Sequence, residues 1–127
     1  TTELLNQLSR PCYKGFMKPL VHPAAEDITV EGLLYALSDP VRVSIYAEIA
    51  ASSCPQICSN FLTVSNRTLP KSTLSMHFKV LRESGLIRSE RHGVEVRNVS
   101  RCDELKERFG DMVGAILRAY QAQSQRV

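Results

Sequence analysis

A mainly α-helical fold carrying one small β-hairpin is predicted by three features of this 127-residue sequence. Apolar residues recur at helical spacing, as in Val41, Ile45 and Ile49, or Leu74, Phe78 and Leu81. Helix-start signals precede those stretches, Asp39-Pro40 being the strongest. Two strand-like runs, LIRSER and VEVRNV, flank His92-Gly93. Composition agrees: a chain with 43% hydrophobic and 23% charged residues is that of one globular domain, able to hold a core without staples. No apolar run reaches the ~18 residues of a membrane span. TTELLNQLSR also lacks the basic-then-apolar layout of a signal peptide. The expected location is the cytoplasm, with no membrane partner.

Each element follows in order. Residues 1–26 hold Pro11, Pro19 and Pro23 and an apolar triplet, Leu4, Leu5 and Leu8, which suits an arm with one short helix. The folded domain is expected over 27–122, with 123–127 a disordered tail. Thr29 is a plausible cap for a helix VEGLLYALS that buries Leu33, Leu34 and Leu37. Asp39 caps the next helix, and Pro40 at its first position loses no useful N–H. That helix is central, because Val41, Ile45, Ile49, Val43, Ala47 and Ala50 make a wide apolar stripe. Ser53 with Gln56 three residues on has capping-box spacing and predicts a short helix CPQICSNFL. After the polar run TVSNRT, LPKSTLSMHFKVLRES reads as a helix stopped by Gly85. The hairpin follows. One last helix is expected after Ser100, with an apolar face from Leu105 through Phe109, Met112, Val113, Ile116 and Leu117 to Tyr120. That face, with Gly110 and Gly114 four residues apart, predicts a homodimer built on this helix. The total is five to six helices.

Two short helices joined by a polar turn and followed by a basic hairpin make a helix-turn-helix extended by a wing, a winged helix-turn-helix. The charge distribution fits this plan. The whole chain carries only +3, yet between Arg67 and Arg101 eight basic residues face three acids, while the remainder holds eight against ten. Such asymmetry suggests a face for a polyanion. Lys71, Ser72 and Thr73 lie in the first turn of the second helix, where free N–H groups and the dipole favour a phosphate. Ser75, Met76 and Lys79 are placed to reach base edges or backbone in a major groove. The hairpin tip, Arg91-His92-Gly93, is short and basic, as phosphate or minor-groove contact requires. Double-stranded DNA is the expected partner.

On ALSDPVR (36–42), KSTLSMHFKVLRESGLIRSE (71–90) and a Gly-centred wing tip at Gly93, the sequence resembles the ArsR/SmtB group of winged-helix repressors. The resemblance covers roughly residues 29–120. It implies a homodimer whose first and last helices form the interface, bound to DNA through the recognition helix and wing. By position it implies Ser72, Thr73, Ser75, Met76 and His77 as DNA contacts, with Arg91 and His92 in support. Met76 stands where a polar residue is common, and Pro70 with a slightly longer turn precedes the recognition helix. A sequence-specific regulator on a pseudo-palindromic operator, released by an effector or by none, is the leading expectation. A winged-helix protein-interaction module is the rival from another class.

Members of this group are often switched by metals or metalloids. The ligand set of the carboxy-terminal helix needs histidine, and this helix has none. The four cysteines, Cys12, Cys54, Cys58 and Cys102, lack C-x-x-C spacing and are expected as reduced thiols. On a helix Cys54 and Cys58 would share a face, and Cys12 could complete a trigonal site for a soft metal or metalloid. Three other readings stay open: Cys58 packing beside Phe61; a redox switch at Cys54 with Cys12 or Cys102 as its partner; and an organic small-molecule effector. No cofactor is required by any of them. His22, His77 and His92 form no catalytic set, and neither a nucleophile elbow nor a phosphate loop is present, so an enzyme is not expected.

Overall fold

The computed structural model describes residues 20–61, 63–64 and 67–125. Cys12 and the short helix expected in the arm lie outside them. Five α-helices and five short strands are found among the described residues, arranged as a winged helix-turn-helix. Helix α1 spans Val30–Ala36 and α2 spans Pro40–Ala51. Strand β1 (Gln56–Ile57) is followed by a 3-10 turn, Cys58–Phe61, and by a small hairpin, β2 (Thr63–Val64) and β3 (Arg67–Thr68). Helix α3 runs Lys71–Ser84, the wing strands are β4 (Ile87–His92) and β5 (Glu95–Ser100), and α4 (Cys102–Phe109) and α5 (Met112–Ser124) close the chain.

Two of the helix starts read from the sequence are made by the expected atoms. Thr29 Oγ1 accepts from the Gly32 N–H at 3.1 Å, and Asp39 Oδ1 accepts from the Val41 N–H at 2.8 Å. Helix α3 ends in a Schellman motif: Gly85 sits at φ +93°, its N–H donates to the Arg82 carbonyl, and the Leu86 N–H donates to the Leu81 carbonyl. Glycine is required there twice over, because a Cβ would also lie 2.5 Å from Ile28 Cδ1.

One core joins these elements. Leu33, Ile45, Tyr46, Phe61, Phe78, Leu81, Leu86, Ile87 and Leu105 are almost completely buried. Phe61 and Phe78 meet edge to face with ring centroids 5.6 Å apart, tying the 3-10 turn to α3. The sheet order is β1-β5-β4, antiparallel throughout, so β4 is an edge strand. Asn98, fully buried on β5, binds both neighbours: its Nδ2 donates to the Gln56 carbonyl at 2.9 Å and its Oδ1 accepts from Ser89 Oγ at 2.6 Å.

The segment before α1 is strapped across the wing root. His22 Nε2 accepts the Ser89 N–H at 2.9 Å, on the outer edge of β4. Arg101 Nη1 donates to the Pro23 carbonyl at 2.8 Å, and Arg108 donates to the carbonyls of Ala25 and Ile28. Arg101 is itself buried and ion-paired to Glu104, which also meets Arg88 at 3.4 Å.

Four expectations are corrected. Leu34 is 51% exposed, because α1 turns Leu33, Ala36 and Leu37 inward instead. Residues 53–61 form no α-helix: Pro55 biases Cys54 towards extended backbone, Ser52 Oγ takes the Cys54 N–H, and Gln56 and Ile57 pair with Asn98 and Arg97. The last helix is two helices, since Gly110 at φ +64°, ψ −138° adopts a conformation open essentially to glycine alone. Gly110 and Gly114 therefore form no notch for another helix, and the Asp111 side chain fills the space beside Gly114. Finally, Gln123 and Ser124 are helical where a disordered tail was expected.

Candidate nucleic-acid interface

Helix α3 separates its residues by face. Leu74, Phe78 and Leu81 are buried in the core, as their spacing demands. Lys71, Ser72, Ser75, Met76 and Lys79 are exposed and Thr73 is half-buried, so one polar face with two lysines looks outward. Glu83 is the only acid in the helix. Pro70 holds the N-cap position and supplies no side-chain acceptor, which leaves first-turn N–H groups without a side-chain partner. A phosphate at that end would meet those donors, the helix dipole and Lys71 together.

His77 does not belong to this face. It is only 7% exposed, and its Nδ1 lies 3.4 Å from Arg42 Nη1. A guanidinium can only donate, so Nδ1 must accept and the imidazole proton must sit on Nε2. Burial, with a smaller contribution from Arg42, holds the His77 pKa below its ordinary value, while Asp39 opposes them. Arg42 is equally buried and is satisfied by the α1 end: Nε donates to the Ala36 carbonyl at 2.8 Å, Nη2 to the Tyr35 carbonyl at 3.2 Å, and Asp39 lies 3.6 Å away. The Arg42–His77 pair thus fixes α3 to the junction of α1 and α2. His77 is a packing residue, and the expectation that it touches DNA is withdrawn. Sequence reasoning missed this role of Arg42, since a lone arginine within an apolar stripe carries no spacing signal.

The wing stands beside that face. Register places His92 opposite Glu95, so the tip is Gly93-Val94, one residue later than expected, with Gly93 at φ +64°. Arg91 and His92 are exposed on the last two positions of β4, and Val94 is fully exposed at the tip. His92 Nε2 lies 3.0 Å from Glu90 Oε1, and Arg97 meets Glu95 at 3.5 Å, both on the surface. Between the wing and the start of α3 lies an open cleft of about 330 Å³ lined by Ile57, Cys58, Lys71, Leu74, Ser75 and Val94–Val96.

The thiols do not assemble as the helical spacing suggested. Cys54 is exposed in the bend before β1, whereas Cys58 is half-buried and its sulfur accepts from Asn98 Nδ2 at 3.4 Å. Without a helix there is no shared face and no helix dipole at Cys54. Burial pushes the Cys58 pKa up, which favours the inert thiol. Among the described residues no group of three or more histidine, cysteine or acidic side chains could hold a metal ion.

With the geometry described, similarity to known proteins can be placed on it. Residues 37–90, from the end of α1 into β4, match the family described as a helix-turn-helix domain. Among solved structures, an ArsR-like transcriptional regulator from Rhodococcus sp. RHA1 is similar at 23% identity and a TM-score of 0.49, covering 76% of this chain and 93% of that one. No curated protein matches the sequence. No helix among the described residues is long and apolar enough to cross a membrane.

Proposed function

We infer that this chain, with a helix-turn-helix domain over residues 37–90, is a DNA-binding transcriptional regulator of the ArsR/SmtB kind. It acts as a homodimeric repressor on a pseudo-palindromic operator. The observation that carries the reading is the outward face of α3: Lys71, Ser72, Ser75 and Lys79 exposed, with a basic hairpin alongside and the opposite face locked into the core. Helix α3 enters the major groove, and Arg91 and the tip follow the backbone.

Dimerisation is supported by apolar surface the monomer leaves uncovered. Val30, Leu34 and Tyr35 are exposed on α1, and Ile116 and Leu117 on α5 are only partly covered. Pairing through these helices sets two copies of α3 about one DNA turn, ~34 Å, apart. Replacing Ile116 and Leu117 with glutamate gives a monomer by sedimentation. An unchanged dimer overturns the interface.

The test of function is binding to duplex DNA selected from a random pool, measured against salt. Lys79→Ala and Arg91→Ala each weaken binding to all sequences and reduce the salt slope by about one unit. Ser75→Ala instead changes which duplexes are preferred. Salt-independent or absent duplex binding leaves the interaction-module reading in place.

A further inference from the structure

One large apolar side chain stands on the polar face of α3. Met76 is 57% exposed, and its neighbours one turn away on the helix surface are Ser72, Thr73, Lys79 and the half-buried Val80. The core accounts for the other large apolar residues of this helix: Leu74, Phe78 and Leu81 are less than 5% exposed and Val80 packs half-buried against it. Met76 is not among the residues of the buried core. It sits at the sixth position of α3, near the middle of the outward face and in the half that leads into a groove.

A major groove offers one apolar group to such a side chain, the C5-methyl of thymine. The serines and lysines around Met76 make hydrogen bonds and ion pairs, which a methyl cannot return. A thioether on an unbranched chain is polarisable and adapts to a small apolar target, and the contact removes both from water. We propose that Met76 is a specificity-determining residue that reads a thymine methyl in each operator half-site. This rests on the reading of the chain as a regulator with α3 in the major groove, and it adds the base that one position selects.

The experiment uses the full chain and the tightest duplex recovered from a random pool. Each thymidine is replaced singly by deoxyuridine, which removes the methyl and keeps every hydrogen-bonding group. One position per half-site is expected to weaken binding about fourfold, the worth of roughly one buried methyl, and about fifteenfold when both half-sites are changed. Met76→Ala binds the thymidine and deoxyuridine duplexes equally at that position, and Met76→Leu restores the preference. Circular dichroism of the variants stays unchanged, because the side chain lies outside the core. Equal affinity of the wild type for the thymidine duplex and for one with deoxyuridine throughout overturns the proposal. So does a methyl preference that survives in Met76→Ala, since another residue then reads it. Failure to recover any bound duplex overturns the regulator reading itself, a different result from bound duplexes that show no methyl dependence.

Discussion

Residues 53–61 and helix α3 begin alike and end differently. Both open with small polar residues and a proline, and both precede an apolar side chain that reaches the core, Phe61 and Phe78. Only α3 becomes a helix. It has fourteen residues, a continuous stripe at i, i+4 and i+7, and a glycine stop that closes its last carbonyls. The earlier segment has nine residues and one deeply buried apolar side chain, and a sheet edge lies beside it. Helix nucleation is costly and is recovered over length, so nine residues lose to two strand pairings and the Asn98 hydrogen bond to Gln56. A capping signal marks where a helix would start; the stripe behind it decides whether one forms.

Substitutions sharpen that contrast in descending order of effect. Phe61→Ala should destabilise by about 3–5 kcal/mol in chemical denaturation, because the segment's hold on α3 is this one ring. Gly85→Ala should cost about 2–3 kcal/mol, from left-handed backbone and from displacing Ile28. Asp39→Ala should cost about 1 kcal/mol through the lost cap of α2. Ser53→Ala should stay within about 0.5 kcal/mol, since Ser53 caps no helix; a loss equal to that of Asp39→Ala would mean that a helix begins there after all. The smallest effect is on the strap. Burial first, then Arg88, Arg82 and Arg101, hold the His22 pKa below 6.5. The released segment therefore binds the proton more readily than the docked one. Docking is independent of pH above about 6.5, weakens as pH falls below it, and levels off once docked His22 also protonates. Exchange protection of the Ser89 amide, corrected for intrinsic rates, should follow that course, and His22→Phe should abolish it.

The same contrast explains what was legible in the sequence. The caps at Thr29 and Asp39 and the glycine stop rest on local chemistry and appear where expected, and the wing hairpin appears with its tip one residue later. The exposed site residues Lys71, Ser72, Ser75, Met76 and Lys79 follow from helical period alone. His77 was named by the family resemblance and not by helical period, and a partner 35 residues away, Arg42, holds it in the interior. The break at Gly110 was hidden because apolar residues on either side kept helical phase. The strap was illegible for the same reason as the Arg42 pair: His22, Arg101 and Arg108 are distant in sequence and meet only after the core has formed.

The imidazole at the wing root has a consequence for the behaviour of many copies together. An unpaired strand at a sheet margin is a template for another chain, and crowding turns that into fibrils or precipitate. On β4 the Ser89 N–H is already taken by His22 of its own chain. Near neutrality that one edge donor is therefore not open to a second copy. Acidification weakens that one hydrogen bond, while Arg101 and Arg108 still hold the segment, so any self-association through β4 should rise as pH falls, read as light scattering against pH.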